Sequence, residues 1–323
     1  MPLQIRSALL LGNLALLSAQ EPSGPSYRGS ARLVIVDTSV TDAAGKPVRN
    51  LGAGSFQIDE EGKPRQALLD SEPAPLSLVI AVQTAGYSAA ALAKLRKVSL
   101  RLEELISQSR GEVALIAYDR GVRLVHDFTW DWFRIKDALE NVKSGPDGGV
   151  LHDAVREAAV LLERRPGVRR RALLFIGESK DRGSAVSLED ALKAVQNANV
   201  TVYPVTYSPY LTPFTAKPEE LPMPPADSGL NLIGAAVEML RLGKRDAAGL
   251  LAASTGGLPE GFLKQAGLGA ALDRMARDLE SRYALSFVPE GGEPGQFRRV
   301  HVSVRGRPEL TVRHRSGYIV PAP

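Results

Sequence analysis

The fold class predicted by this sequence is α/β. A doubly wound, mostly parallel sheet is inserted into a small β-sandwich formed by the N- and C-terminal segments. Three observations predict it. Strand-like and helix-like segments alternate from Pro75 to about Arg282, the pattern of a parallel sheet with helices on both faces. The internal strands are short, nearly continuous apolar runs such as Leu76–Val82 and Ala172–Ile176, as expected of strands buried on both faces. The flanking segments, Tyr27–Glu72 and Tyr283–Ile319, are rich in β-branched residues and turns. Neither has enough strands to be stable alone, so each needs the other.

The elements follow in order. Arg6 precedes the apolar stretch Ala8–Leu17, broken at Asn13, and Leu17-Ser18-Ala19 ends in a small residue. Residues 1–19 therefore read as a signal peptide and residues 20–29 as a flexible mature N-terminus. The apolar run is too short to span a bilayer, which takes about 20 residues. No other segment is long and apolar enough, so the chain is expected to be exported, periplasmic or extracellular, with no membrane anchor. It has 323 residues, 44% of them hydrophobic, and no cysteine. That suffices for a sizeable core and excludes disulfides, thiolate metal sites and a cysteine nucleophile. A formal net charge of +4 is too small to argue for a nucleic-acid partner.

Residues 30–73 form the first part of the sandwich, with strands in Ala31–Val40 and Phe56–Pro64 separated by the turn Asp42–Pro47. Residues 74–282 form the α/β domain. Leu92, Leu95, Val98, Leu102 and Leu105 recur at helical spacing within Ser88–Ser107. Strands at Val113–Tyr118 and Val122–Phe128 are joined by the hairpin turn Asp119–Gly121. Helices near Asp131–Val142, Leu151–Arg164 and Leu188–Ala198 surround the strands Ala172–Ile176 and Val200–Thr206. Residues 208–230 form a proline-rich flap. Helices follow at Asn231–Leu242, Asp246–Ala253 and Gly269–Ser281. Residues 283–321 complete the sandwich with strands Tyr283–Val288, Arg298–Val304 and Leu310–Ile319, giving about six strands in all.

Several short segments, in this order, resemble secreted bacterial proteins related to the von Willebrand factor A (VWA) domain. They are Leu33-Val-Ile-Val36, Val40-Thr-Asp42, Gly45-Lys-Pro-Val48, Glu61-Gly-Lys63 and Pro75-Leu-Ser-Leu78. Later come Leu151-His-Asp-Ala-Val155, Thr255-Gly-Gly257, Tyr283-Ala-Leu-Ser-Phe-Val-Pro289 and Arg313-His-Arg-Ser-Gly-Tyr318. The resemblance spans roughly residues 32–320. It implies a Rossmann-like VWA sheet with a divalent-cation adhesion site at the carboxyl ends of its strands.

That site is degenerate here. The first loop of the family reads Asp-x-Ser-x-Ser, and this chain has Gln83, Ala85 and Tyr87 at those positions. Gly149 stands where the second loop carries a Thr, and Glu178 where the third carries an Asp. One carboxylate cannot satisfy the octahedral oxygen shell of Mg²⁺. No cofactor and no bound Mg²⁺ or Mn²⁺ are therefore expected. Thr84, Ser88, Asp147 and Asp181 offer oxygens for a rearranged site. Two readings remain open. The loops only cap the sheet, or Gln83, Tyr87, Gly149 and Glu178 mark a metal-free contact surface for a protein partner at the upper end or the flap.

No catalytic residue is expected. The histidines lack metal spacing, and no nucleophile elbow, zinc motif or phosphate loop occurs. A non-enzymatic protein-interaction or adhesion-type module is the favoured function. An envelope scaffold and a hydrolase using Glu178 and Asp181 are the rivals. Chain parity places two more features at the lower end, opposite the loops. The arginine-rich Arg164–Arg171 is expected to pair with acids of the sandwich. The aromatic Thr129–Phe133 is expected either to contact the sandwich or to pack helix on sheet.

Overall fold

In chain order, the computed structural model begins with β1 (Val34–Thr41), β2 (Phe56–Glu60), β3 (Lys63–Arg65), β4 (Leu68–Leu69) and β5 (Leu76–Gln83). Next come α1 (Ala89–Val98), α2 (Leu100–Gln108), β6 (Glu112–Tyr118), β7 (Val122–Thr129), α3 (Trp132–Asn141), α4 (Leu151–Glu163), β8 (Arg170–Gly177), α5 (Leu188–Asn197) and β9 (Val200–Thr206). The chain closes with α6 (Ala247–Thr255), β10 (Glu260–Gly261), α7 (Gln265–Ser281), β11 (Tyr283–Phe287), β12 (Phe297–Val304), β13 (Thr311–Arg313) and β14 (Gly317–Ile319). The structure describes residues 33–70, 72, 74–98, 100–207, 247–262 and 265–321. The expected signal peptide, mature N-terminus, flap and Asn231–Leu242 helix lie outside them.

The central sheet has the order β10-β9-β8-β5-β6-β7. Every pairing is parallel except β6 with β7, which is antiparallel and forms one edge. All eight residues of β5 are buried, as its unbroken apolar run requires. Side-chain alternation divides the core in two. Leu78, Ile80 and Val82 face the helices α1, α2, α3 and α7. Val79 and Ala81 face α4, α5 and α6. The sheet is therefore doubly wound and Rossmann-like, as expected. Local capping agrees with the sequence: the Asp131 carboxylate accepts from the Phe133 N–H at the start of α3, and Ser187 caps α5.

The two flanking segments do build one sandwich, and each sheet mixes them. One sheet runs β13-β1-β11-β4 and the other β14-β12-β2-β3. Eight strands form it against the expected six or so, three more than the five segments delimited in the sequence. The short strands β3 and β4 are one reason. The other is that Leu310–Ile319 is not a single strand. Its first half, β13, pairs with β1 and its second half, β14, pairs with β12 in the opposite sheet.

The crossing between those halves, Arg313–Ser316, is where sandwich and α/β domain meet. Arg313 and Arg282 both pair with Asp278 of α7, which also accepts from Ser39 of β1 (2.6 Å) and Tyr203 of β9 (2.7 Å). Arg315 bonds the Gln196 carbonyl (2.7 Å) and the Asn199 side chain (2.5 Å). Burial opposes ionisation of Asp278, but the two guanidiniums and the two hydroxyls outweigh it and hold the carboxyl at about 2. His314 is fixed between two backbone groups. Its Nε2 accepts from the Val302 N–H (3.0 Å), so Nδ1 carries the proton and donates to the Arg315 carbonyl (2.7 Å).

The two lower-end expectations are met only in part. Arg165 and Arg169 pair with Glu112 of β6, and Arg170 and Arg171 bond backbone carbonyls of the α/β domain. The carboxylate hydrogen-bonded to the cluster thus comes from the start of a neighbouring core strand, while Asp37 of the sandwich strand β1 acts on Arg170 through its charge. The two tryptophans part company. Trp132 is buried under α3 in the core, whereas Trp130 is 85% exposed. Helix-on-sheet packing is the correct reading for Trp132.

Candidate functional site

The first loop after β5, the second between α3 and α4 and the third after β8 converge with the turn after β6 at the carboxyl ends of the parallel strands, where open α/β sheets place their ligand sites. Gln83, the last residue of β5, is almost fully buried. Its side-chain N–H donates to the Gly148 carbonyl at 2.9 Å. Its side-chain oxygen accepts from the Glu178 N–H at 2.8 Å. One neutral amide thereby ties the first loop to both the second and the third.

Gly149 makes room for this bridge. A Cβ built there would lie 2.7 Å from the Gln83 amide nitrogen. The backbone at Gly149 is not left-handed, so the requirement for glycine is spatial. Gln83 and Gly149 are a matched pair: the longer side chain fills the space that a residue with a Cβ at 149 would take.

Glu178 is also buried, with its side chain 6% exposed. Arg182 meets it with a two-pronged contact, Nε at 2.8 Å and Nη2 at 3.2 Å. A short antiparallel bridge between Gly149 and Arg182 holds this arginine against the second loop. The guanidinium supplies the positive charge beside Glu178.

A second ion pair lies on the other side of Gln83. Asp119 follows β6, and its buried carboxylate accepts from Thr84 Oγ1 (3.0 Å), the Arg123 guanidinium (2.6 Å) and the Arg120 N–H (2.7 Å). Burial raises the carboxyl's pKa, but these three donors outweigh it and the net shift is downward. A Cβ at Gly145 would collide with the same carboxylate. The loop is further stitched by the Gly145 N–H donating to the Thr84 carbonyl at 2.7 Å.

The remaining oxygens are taken up by loop structure. Asp181 accepts from the His152 N–H (3.2 Å), the Ser184 N–H (3.1 Å) and the Ser184 hydroxyl (2.5 Å). Asp153 accepts from the Ala185 and Val186 N–H groups. Beneath the loops, burial pushes the Tyr207 phenol up to about 12, with a Ser88 contact opposing and the Glu178 charge adding.

The donor set does not fit a hard divalent cation. The Gln83 oxygen is committed to a backbone N–H, Ala85 and Gly149 have no side-chain oxygen, and Glu178 is engaged by Arg182. Among the described residues no group of three or more histidine or acidic side chains is placed to hold a metal.

The predicted site residues are thus brought together, but in a different role. Gln83, Gly149 and Glu178 are buried and cannot touch a partner directly, which corrects the expectation that they form the contact surface. Tyr87 belongs to the turn Gly86–Ser88. The rim residues Arg120, Arg123 and Arg182 escaped the sequence reading. Asp119–Gly121 looked only like a hairpin turn. The i,i+4 spacings of Asp119 with Arg123 and Glu178 with Arg182 were the available signal.

No family model matches the chain, and no curated protein matches it. Solved structures do show likeness. An aerotolerance-related membrane protein from Bacteroides fragilis aligns at 14% identity and a TM-score of 0.44, covering 64% of this chain and 98% of its own. BatB from Bacteroides thetaiotaomicron aligns at 16% identity and a TM-score of 0.42, covering 62% and 99%. The SpRpn10 VWA domain aligns at 10% identity and a TM-score of 0.35, covering 42% and 76%. No described helix is long and apolar enough to cross a membrane.

Proposed function

We propose that this protein is an exported, non-enzymatic protein-interaction module whose VWA-like domain binds without a metal ion. The observation that carries the proposal is the Gln83 bridge. One buried amide holds the Gly148 carbonyl and the Glu178 N–H, so the three loops are tied together by a neutral side chain. A rigid scaffold that presents loops is the usual platform for partner contacts. The same geometry supports metal independence, because the groups that would ligate a cation are absent or already bonded.

Catalysis is disfavoured by the state of the acids. Glu178 is paired with Arg182, and Asp181 is saturated by loop donors. Neither is placed to shuttle a proton to a substrate. A scaffold with no ligand at this end remains the rival.

Thermal melts test metal independence. Adding millimolar Mg²⁺ or EDTA leaves the melting temperature within about one degree, since a ligand stabilises only by occupying a site in the folded state. A rise of several degrees with Mg²⁺ refutes the proposal.

A further inference from the structure

Resting on the reading of this end as a protein-binding face, we propose that it takes an acidic partner segment whose carboxylates are bound by Arg120, Arg123 and Arg182. The charges of these loops are sorted by depth. The Asp119 side chain is 3% exposed beneath an Arg123 side chain that is 48% exposed. The Glu178 side chain is 6% exposed beneath an Arg182 side chain that is 38% exposed. Asp153 and Asp181 turn inward onto backbone N–H groups. The carboxylates therefore hold the loops together, while the guanidiniums stand at the surface.

The arginines also lie side by side. A Cβ on Gly148 would lie 2.9 Å from Arg120 Cγ, and one on Gly149 would lie 3.8 Å from Arg182 Cβ. Arg120 and Arg182 thus flank one peptide unit, directly above the Gln83 bridge. Arg123 reaches the hydroxyl of Thr84, the residue after Gln83, at 3.2 Å. Lys180 adds an exposed cation on the third loop. Asp147 shares the rim, with a carboxylate oxygen close to Gly86.

This arrangement suits carboxylates in particular. A guanidinium carries five N–H donors in a planar fork that matches a carboxylate. Ion pairs below two of the arginines hold them in one orientation, so less conformational freedom is lost on binding. Among the described residues the Arg120 guanidinium donates only its Nε–H, to the Asp147 carbonyl at 2.9 Å. It is the rim arginine whose removal uncovers no buried acid, and so it is the cleanest one to change.

The test uses the full chain and two probes: a fluorescent nona-glutamate peptide with its nona-lysine counterpart, and a displayed library of random peptides. The glutamate peptide is expected to bind and the lysine peptide not. Affinity is expected to fall about tenfold in Arg120→Ala and again in Arg123→Ala, and to weaken with salt. Arg182→Lys, which keeps a charge over Glu178, is expected to lose less. Arg134→Ala at the opposite end is the control and leaves binding unchanged. An unaltered melting temperature in Arg120→Ala shows that the fold is intact.

Selection of peptides without acidic residues whose binding still depends on these arginines overturns the acidic-partner inference and leaves the protein-binding reading standing. Binding of both probes that is indifferent to all three arginines overturns both.

Discussion

Gly149→Ala is the substitution that most directly probes how the loops are held without a cation. The new Cβ would stand 2.7 Å from the Gln83 amide nitrogen. A glutamine amide can normally swing away at little cost, being the far end of a flexible side chain. Here it is buried and bonded at both ends, to the Gly148 carbonyl and the Glu178 N–H. Moving it strains packing and leaves a backbone group unsatisfied, which together cost about 1–3 kcal/mol. For a folded unit of this size that lowers the melting temperature by roughly 3–10 °C. The assay is a double-mutant cycle by calorimetry with Gln83→Ala. With the obstacle removed, Gly149→Ala is expected to be neutral or slightly stabilising, because alanine restricts the unfolded chain by about 0.4–1 kcal/mol relative to glycine. Equal costs in both backgrounds would refute the claim that Gln83 and Gly149 are a matched pair.

Further predictions concern the buried charges. Arg182→Ala leaves the Glu178 carboxylate buried with its ion pair removed. It is expected to cost roughly 1–3 kcal/mol, below the range for a fully buried pair because Arg182 is part-exposed. Glu178→Gln in the same chain recovers most of that loss by calorimetry, and failure to recover it argues against the pair. Stability should also fall with acid in two windows. His314 is pushed down to about 4 by burial, from an ordinary 6.5. The unfolded chain therefore takes up the proton first, and stability present above 6.5 is lost as pH drops toward 4, by roughly 3 kcal/mol. Asp278, held at about 2 against an ordinary 3.8, adds a loss of roughly 2 kcal/mol between pH 4 and 2. Denaturant unfolding of His314→Gln from pH 7 to 4.5 checks the first window: the slope should flatten, and an unchanged slope refutes the assignment.

The Arg313–Tyr318 segment shows why a linear pattern carries so much of this fold. Its residues serve both bodies. Arg313 and Arg315 grip the α/β domain, whereas His314 and Tyr318 bond inside the sandwich, Tyr318 to the fully buried Glu60. Thr255–Gly257 is constrained from the other side of the junction. Gly256 has φ of 74° and its Cβ would meet the His314 backbone at 2.5 Å, so alanine there is both strained and obstructed. Such sites demand particular residues, and particular residues are visible in a sequence.

The sequence by itself determined the doubly wound sheet, the pairing of the two terminal segments and the absence of a side-chain oxygen at Ala85 and Gly149. Those properties depend on local periodicity, continuous apolar runs and the chemistry of single side chains, all of which a linear string displays. Only the tertiary structure decided how these loops are held. That Gln83 spans to Gly148 and Glu178, and that Arg165 and Arg169 meet Glu112, depend on residues distant in the chain arriving at hydrogen-bonding distance. Depth decided the rest. Gln83 and Glu178 sit inside and the arginines outside, because burying a carboxylate under a part-exposed guanidinium neutralises it while the cation keeps most of its hydration.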